Sequence, residues 1–139
     1  MKRIFIPSAD EVIAINKLVC LEGKNPHLCY DVGKVESAIH STFYPGSYPF
    51  MAGGLAHIAG ALCFYLTKTH AFMDGNKRTG ALSSIVFLNT NGCDLKYSLG
   101  SRTQKSTLAE IIEKCAAGRV GKEELMKWFD THKVERKVS

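Results

Sequence analysis

Hydrophobic residues recur at helical spacing in six segments of this chain. The clearest is residues 55–66, where apolar positions follow the i, i+3, i+4, i+7 pattern of a helix with one buried face. Most of the others are bounded by residues that start or stop helices. The start signals are Ser8 with Glu11, Asp31, and Thr107 with Glu110, and the stop signals are Gly23, Asn91 with Gly92, and Gly118. The pattern predicts an all-α fold, a single bundle of about six helices.

Few segments have the pattern of strands. Residues 4–6 are a candidate short edge strand, and residues 43–50 carry aromatic residues on both sides of a Pro-Gly turn, which is typical of a small β-hairpin or flap. Strands and helices do not alternate along the chain, so a parallel nucleotide-binding sheet is excluded. We therefore predict one domain over residues 1–132, with a short hairpin, and a frayed tail over residues 133–139.

The composition narrows the class of protein. The 139 residues are 45% hydrophobic and 22% charged, which is typical of a globular domain and excludes a disordered chain. The net charge of +5 suits a phosphate-bearing ligand but is too small for a dedicated duplex binder, so nucleic acid is not an expected partner. No apolar run approaches the ~20 residues of a membrane span. The five cysteines are scattered without a C-x-x-C pair, so we expect a cytoplasmic protein with reduced thiols.

A short polar segment, residues 70–80, stands directly before the fourth helical run. The start of a helix offers unpaired backbone N–H groups and a positive dipole end, which favour phosphate. Gly75 allows the backbone to approach an anion closely, and Lys77 and Arg78 add positive charge. These residue types in this order predict a phosphate-binding cradle.

The same segment contains a proton acceptor and a metal ligand. The imidazole of His70 can take a proton from a hydroxyl near neutral pH, and the Asp74 carboxylate suits a Mg²⁺ ion that bridges phosphate oxygens. Base, metal ligand and phosphate cradle together predict phosphoryl or nucleotidyl transfer. Two simpler interpretations remain open. Asp74 or Asn76 can cap the next helix, and His27 with nearby cysteines is an incomplete soft-metal cluster.

The segment resembles the H-x-F-x-[DE]-G-N-x-R motif of the Fic (Fido) family. The similarity is greatest to the death-on-curing (Doc) branch of that family, which reads H-x-F-x-D-[GA]-N-K-R-T. The resemblance extends outward to nearly the whole chain and implies a Fic/Doc-type helical bundle. The matching residues are His70, Phe72, Asp74, Gly75, Asn76, Lys77 and Arg78.

The resemblance implies a role for each matching residue. His70 is the implied base that deprotonates a target hydroxyl, and Asp74 the implied ligand of Mg²⁺ on the nucleotide phosphates. Phe72 is a hydrophobic anchor without chemistry of its own. The implied phosphate cradle consists of Gly75, Asn76, Lys77 and Arg78.

The hairpin near residues 43–50 takes the place of the family's target-docking flap. A flap pairs with an extended target segment by strand addition. Its candidate docking residues in this chain are Phe43, Tyr44 and Tyr48.

Two departures from the family pattern bear on the reaction. Members that transfer AMP have a second glycine at the position of Lys77 and a second arginine at the position of Ala81. The resemblance therefore favours the Doc-type reaction, in which the γ-phosphate of ATP passes to a Thr or Ser hydroxyl of a target protein, for example a translation factor such as elongation factor Tu. The self-inhibiting pattern [ST]-x-x-x-E-[GN] does not occur in the sequence. This implies a toxin that a small antitoxin protein inhibits in trans.

Two other functions stay open at this point. One is a Fic-type transferase that moves AMP to a protein hydroxyl. The other is a non-catalytic module that binds a nucleotide or a partner. The product of a reaction with ATP separates the first of these from the Doc-type reaction, and absence of any product indicates the second.

Overall fold

Six α-helices and two short strands make up the part of the chain, residues 4–44 and 54–136, that the computed structural model describes. The helices are α1 (Ala9–Glu22), α2 (Val32–Phe43), α3 (Gly54–Lys68), α4 (Asn76–Thr90), α5 (Thr107–Ala116) and α6 (Lys122–His132). The strands are β1 (Cys93–Leu95) and β2 (Lys133–Glu135). The prediction of an all-α bundle of about six helices is confirmed. None of the helices in the described ranges has the length and hydropathy of a membrane-spanning segment.

Local start signals place the first two helices where the sequence predicts them. The Ser8 hydroxyl accepts from the Glu11 N–H at 3.2 Å, and the Glu11 carboxylate accepts from the Ser8 N–H at 3.2 Å, which is a complete capping box. Helix α1 ends at Gly23. The Asp31 carboxylate begins α2 by accepting from the Gly33 N–H at 2.9 Å.

The predicted boundaries of two later helices also hold to within one residue. Helix α4 ends just before Asn91, the first residue of the predicted stop signal. Helix α5 begins one position away from the prediction, because the side chain that caps it belongs to Ser106 rather than Thr107. The Ser106 hydroxyl accepts from the Ala109 N–H at 3.1 Å.

Helix α3 lies at the centre of the bundle and packs against α2, α4 and α6. Two glycines allow its neighbours to come close. A Cβ atom on Gly60 would lie 2.6 Å from the Cα of Met126 in α6. A Cβ atom on Gly80 of α4 would lie 2.8 Å from the Thr67 hydroxyl and 3.1 Å from the Cys63 carbonyl. Neither position has room for a side chain, so α4 and α6 both pack closely against α3.

The prediction that Phe43 belongs to a flap is wrong. Phe43 is the last residue of α2, is fully buried, and makes an edge-on contact with Phe87 at 5.1 Å between ring centroids. It completes the buried stripe of α2, whose members are Val35, Ala38, Ile39, Thr42 and Phe43. That stripe follows helical spacing from beginning to end, so burial extends the helix into the segment expected to form a hairpin.

Of the two other residues predicted for the flap, Tyr44 is described by the structure and Tyr48 is not. Tyr44 follows α2 directly, is exposed, and stacks on His40 at 4.8 Å between ring centroids. Tyr48 and the predicted Pro-Gly turn lie outside the described residues.

The two-stranded sheet forms at a different place from the predicted hairpin. Strand β2 pairs antiparallel with β1, with Asp94 opposite Val134. The expectation of a frayed tail is therefore wrong for residues 133–135. All three residues of β2 are exposed, so no hydrophobic pattern marks the strand, and backbone hydrogen bonds hold it in place.

Residues 4–6 do not form the expected edge strand. The side chain of Asn91, just after α4, takes the place of a neighbouring strand. Its Oδ1 accepts from the Phe5 N–H at 2.9 Å, and its Nδ2 donates to the Phe5 carbonyl at 3.1 Å. One amide side chain thus satisfies both backbone groups of an extended residue.

Candidate active site

The signature loop, residues 69–75, joins α3 to α4 and lies against the segment between α1 and α2. The Tyr30 N–H donates to the Ala71 carbonyl at 2.8 Å, and the Met73 N–H donates to the Leu28 carbonyl at 2.9 Å. Phe72, between these two contacts, is buried in the core. The middle of the loop is therefore held by both backbone bonds and apolar burial.

The Asn76 side chain closes the loop from the other end. Its Oδ1 accepts from the Phe72 N–H at 3.1 Å, and its Nδ2 donates to the Phe72 carbonyl at 2.9 Å. This side chain was predicted to belong to the phosphate cradle, and the structure instead uses it to clamp the loop. Only the backbone N–H of Asn76 is left to face an anion.

Gly75 forms the turn into α4 in the left-handed conformation, with φ 76° and ψ 15°. A side chain is disfavoured at these angles and would also meet the floor under the turn. A Cβ atom here would lie 3.1 Å from Val19 and 3.3 Å from the Nδ2 of Asn16, both in α1. Glycine is thus required by conformation and by space together.

No side chain among residues 4–44 and 54–136 caps the N-terminus of α4. The interpretation in which Asp74 or Asn76 caps this helix is therefore wrong. The Asp74 carboxylate accepts from the Gly75 N–H at 2.7 Å, one position before the helix, and Asn76 bonds to Phe72. The first hydrogen bond inside the helix runs from the Thr79 N–H to the Gly75 carbonyl at 2.8 Å. The amides of the first turn thus have the geometry of an open anion site.

Two cations flank this open helix end. Lys77 and Arg78 are both exposed, and the Arg78 guanidinium lies 3.7 Å from the Glu22 carboxylate at the end of α1. Because both partners of that ion pair are exposed, it is weak and leaves the guanidinium able to turn toward a bound anion. Lys77 lines a groove that α4 shares with α5.

An apolar groove of about 430 Å³ runs beside the cradle between α4 and α5. At its edge, a hydrogen bond from Lys105 to Glu113, with the charges of Lys105 and Lys77, lowers the pKa of Glu113 below its ordinary value. The floor is apolar and the rim is cationic, which suits an uncharged ring system attached to a phosphate. The floor includes Ala81, Leu108 and Ile112, and the rim includes Lys77, Arg78 and Lys105.

His70 is exposed and has an unusual backbone conformation. Its φ is 50°, in the left-handed region that costs a non-glycine residue roughly 1–2 kcal/mol. Its ring forms no hydrogen bond within the described part of the chain, so it is not tied to a neighbouring group there. Strain of this kind concentrates at functional positions, where the surrounding structure holds it.

The donor set fits a magnesium ion held jointly with a nucleotide. The described residues contain no cluster of three or more His, Cys, Asp or Glu side chains that could hold a metal ion by themselves. Mg²⁺ typically uses one or two carboxylates together with substrate phosphates and water, and the exposed Asp74 supplies one such carboxylate next to the open helix end. The soft-metal interpretation of His27 has no support in the geometry, because its Nδ1 faces the Asn16 Oδ1 at 2.9 Å.

Asn16 is a site residue that sequence reasoning missed. It is fully buried in α1, and its Nδ2 donates to the Asp74 carbonyl at 2.9 Å and to the Thr79 hydroxyl at 2.9 Å. A usable signal was present in the sequence. Asn16 is the one polar member of the buried stripe of α1, formed with Val12, Val19 and Cys20. A polar side chain on an apolar face requires a partner.

A comparison with models of protein families matches residues 7–88 to the Fic/DOC family. The match covers more than half of the chain and includes the signature loop, all of α3 and α4 as far as residue 88. A comparison with curated proteins found no match. Members of the matched family are typically protein-modifying transferases that use ATP, often with Mg²⁺. The chain belongs to the Fic/DOC family.

Proposed function

We propose that this protein is a Doc-type phosphotransferase that moves the γ-phosphate of ATP to a Thr or Ser hydroxyl of a target protein. The observation that carries the proposal is the uncapped N-terminus of α4, which follows the left-handed Gly75 and lies beside Asp74, Lys77 and Arg78. Local side chains normally satisfy such a helix end, and here they bond elsewhere. An anionic substrate supplies the missing acceptors.

In this proposal the nucleotide phosphates accept from the free amides of α4, and Lys77 and Arg78 neutralise their charge. Asp74 would hold a Mg²⁺ ion, which would supply positive charge against that of the phosphates. The groove between α4 and α5 takes the uncharged part of the nucleotide. Each component of the substrate thus meets a surface of matching polarity.

His70 acts as the base. The oxygen of the target hydroxyl forms a bond to the γ-phosphorus while the bond from that phosphorus to the β–γ bridging oxygen breaks, and ADP leaves. The hydroxyl proton passes to the imidazole of His70. The exposed position of His70 on a loop lets a protein-bound hydroxyl approach it.

Lys77 and Ala81 favour transfer of phosphate over transfer of AMP. The two residues are one helical turn apart on α4, and both line the groove. A lysine in the cradle fills space and adds charge where glycine leaves room for a phosphate, so the triphosphate binds in the reversed direction. At Ala81 a methyl group stands where AMP-transferring members carry a second arginine fork.

The biological setting belongs to the same proposal. A Doc-type transferase is the toxin of a toxin–antitoxin system, acts in the cytoplasm on a translation factor such as elongation factor Tu, and is inhibited in trans by a small antitoxin. The lack of a self-inhibiting [ST]-x-x-x-E-[GN] pattern supports inhibition by a separate protein.

Two differently labelled samples of ATP test the reaction. The purified protein is incubated with elongation factor Tu and ATP labelled at either the γ- or the α-phosphate, and the intact mass of the target is measured. Label from the γ-phosphate alone, a mass gain of one phosphate, and release of ADP support the proposal. Label from the α-phosphate with a mass gain of one AMP shows the Fic-type reaction instead. Binding of ATP without transfer to any offered hydroxyl indicates a non-catalytic module.

A further inference from the structure

We infer that Asn16 is a positioning residue, which locks the peptide between Asp74 and Gly75 and thereby aims the Asp74 carboxylate at the ion that accompanies the nucleotide. The inference rests on the proposed function for the role of that carboxylate. Asn16 is fully buried in α1, so its side chain reaches neither the surface nor a nucleotide bound at the start of α4. Its effect on transfer must pass through the loop.

The hydrogen-bonding capacity of Asn16 is directed at the loop. Both Nδ2 protons are used, one on the Asp74 carbonyl and one on the Thr79 hydroxyl, each at 2.9 Å. On its other side, Oδ1 lies 2.9 Å from the His27 Nδ1 and 3.7 Å from the Cys20 sulfur. An amide satisfied on both ends in a buried site has one stable orientation, because rotating it would turn Oδ1 onto the Asp74 carbonyl oxygen, one acceptor against another.

The position of the Asp74 carbonyl determines where the Asp74 carboxylate lies. In a trans peptide the C=O and the next N–H point in opposite directions, so the carbonyl bound by Asn16 turns the Gly75 N–H away from α1. That N–H is the group from which the Asp74 carboxylate accepts at 2.7 Å. A flip of this one peptide would remove the contact that holds the carboxylate.

A lock is needed here because Gly75 is conformationally permissive. Glycine visits positive and negative φ at similar cost, so the Asp74–Gly75 peptide has a low intrinsic barrier to alternative orientations. The contacts of α1 with the turn oppose this freedom. A Cβ on Gly75 would lie within 3.4 Å of Val19, Asn16 and Cys20, so the floor follows the turn closely, and Asn16 is the polar part of that floor.

The test compares Asn16→Ala and Asn16→Asp with Thr42→Val. Thr42 is also a fully buried polar residue, but its hydroxyl donates to the Ala38 carbonyl within α2 and does not contact the loop. Asn16→Asp keeps the side-chain volume and replaces the donor that faces the Asp74 carbonyl, so it serves if the alanine variant does not fold. Two readouts follow the loop itself: hydrogen exchange of the Gly75 amide by NMR, and the affinity for ATP with MgCl₂ and with EDTA.

The Asn16 variants should speed exchange of the Gly75 amide about tenfold or more, as expected for loss of one buried hydrogen bond. They should weaken ATP binding in MgCl₂ but not in EDTA. Addition of Asp74→Asn to Asn16→Ala should cause no further loss of magnesium dependence, because both changes remove the same aimed carboxylate. If Asn16 is merely structural, its variants lower the melting temperature and leave the magnesium dependence of ATP binding unchanged. Asp74→Asn then has the same effect with and without Asn16→Ala.

Unchanged Gly75 exchange in the Asn16 variants, or equal acceleration in Thr42→Val, overturns the inference. Additive losses of magnesium dependence in the double variant overturn it as well. Failure of the proposed function has a different signature, which is a wild-type protein that does not bind ATP in MgCl₂. In that case the exchange measurements still decide whether Asn16 holds the loop.

Discussion

Helices α1 and α4 begin in opposite ways, although each start is rich in polar residues. At α1, Ser8 and Glu11 satisfy each other's backbone N–H groups, so the helix end is closed by its own sequence. At α4, Asp74 and Asn76 have the same capping chemistry, but their side chains bond to the backbone of the signature loop, and glycine occupies the cap position. The comparison shows that a helix end can be kept open by giving its polar neighbours other partners.

The largest expected effect is on the rate of transfer, through a substitution in the loop before the uncapped N-terminus of α4. His70→Ala should lower the rate of transfer by about 100-fold or more, the range typical for loss of a general base. ATP affinity should stay close to that of the wild-type protein, because in the proposed function His70 acts only on the incoming hydroxyl. Transfer is measured with labelled ATP and affinity by thermal-shift titration. Loss of ATP binding together with transfer would show that His70 is structural.

A smaller effect is expected when the carboxylate at the open end is neutralised. Asp74→Asn keeps an oxygen that can accept from the Gly75 N–H, so the fold should be retained. Affinity for ATP in MgCl₂ should fall at least about tenfold, the lower end of what a ligand's supporting contacts contribute. The matched control is Asp31→Asn at the N-cap of α2, which should leave ATP affinity unchanged. Equal affinity of Asp74→Asn and wild type across a magnesium titration contradicts the metal role.

The turn that opens α4 can be broken by adding one methyl group. Gly75→Ala forces a side chain into the left-handed region and toward Val19, so unfolding should become easier by roughly 1–2 kcal/mol. The same substitution at Gly121, which precedes α6 at φ −89° and has nothing within 4 Å of its Cβ position, is the control. Urea denaturation measures both. A similar loss in the two variants would mean that the left-handed conformation is not the cause.

At the capped N-terminus of α1, a substitution should change stability and leave ATP binding unchanged. Ser8→Ala removes the cap of α1 and should lower the free energy of unfolding by about 1 kcal/mol. ATP affinity and transfer should not change, because this helix end faces no substrate in the proposed function. Denaturation and ATP titration of the same preparation check the two halves of the prediction. A drop in ATP affinity without loss of stability would contradict the distinction between the two ends.

The smallest effect concerns the charged rim of the groove. The Lys105 hydrogen bond lowers the pKa of Glu113 in the folded protein. The stabilisation of the fold by ionised Glu113 is therefore present above the ordinary carboxyl pKa and is lost as the pH falls through the lowered value. Lys105→Gln should move the pKa of Glu113 back toward the ordinary value. An NMR titration of the Glu113 carboxyl group measures the change. No shift in that titration would show that Lys105 does not hold the carboxylate in solution.

Sequence reasoning succeeds where the signal is local. Ser8 and Asp31 act within three residues of themselves, and the signature segment is readable because its chemistry lies in consecutive positions. It fails for the choices that the tertiary structure makes. Asn16 is 58 residues from Asp74 along the chain, and nothing in the linear pattern indicates which partner its amide finds. Asn76 has the chemistry of a cap and of a cradle, and only the folded loop shows that it is a clamp.

Two errors in the predicted fold have equally physical causes. An aromatic residue before a Pro-Gly turn fits a hairpin by composition, but Phe43 also completes the apolar stripe of α2, and burial outweighs turn preference. Strand β2 has three exposed residues and no alternation. Backbone pairing with β1 alone defines it, and backbone pairing has no side-chain pattern to read.

The pairing of β1 with β2 brings together two points of the chain that bracket α5 and α6. The excursion between them leaves and returns at neighbouring positions, and its two helices pack against α3. The family match ends at residue 88, before this excursion begins. Since Lys105 and Leu108 on the excursion line the groove, in the proposed function the surface that takes the uncharged part of the nucleotide can diverge while the start of α4 keeps its geometry.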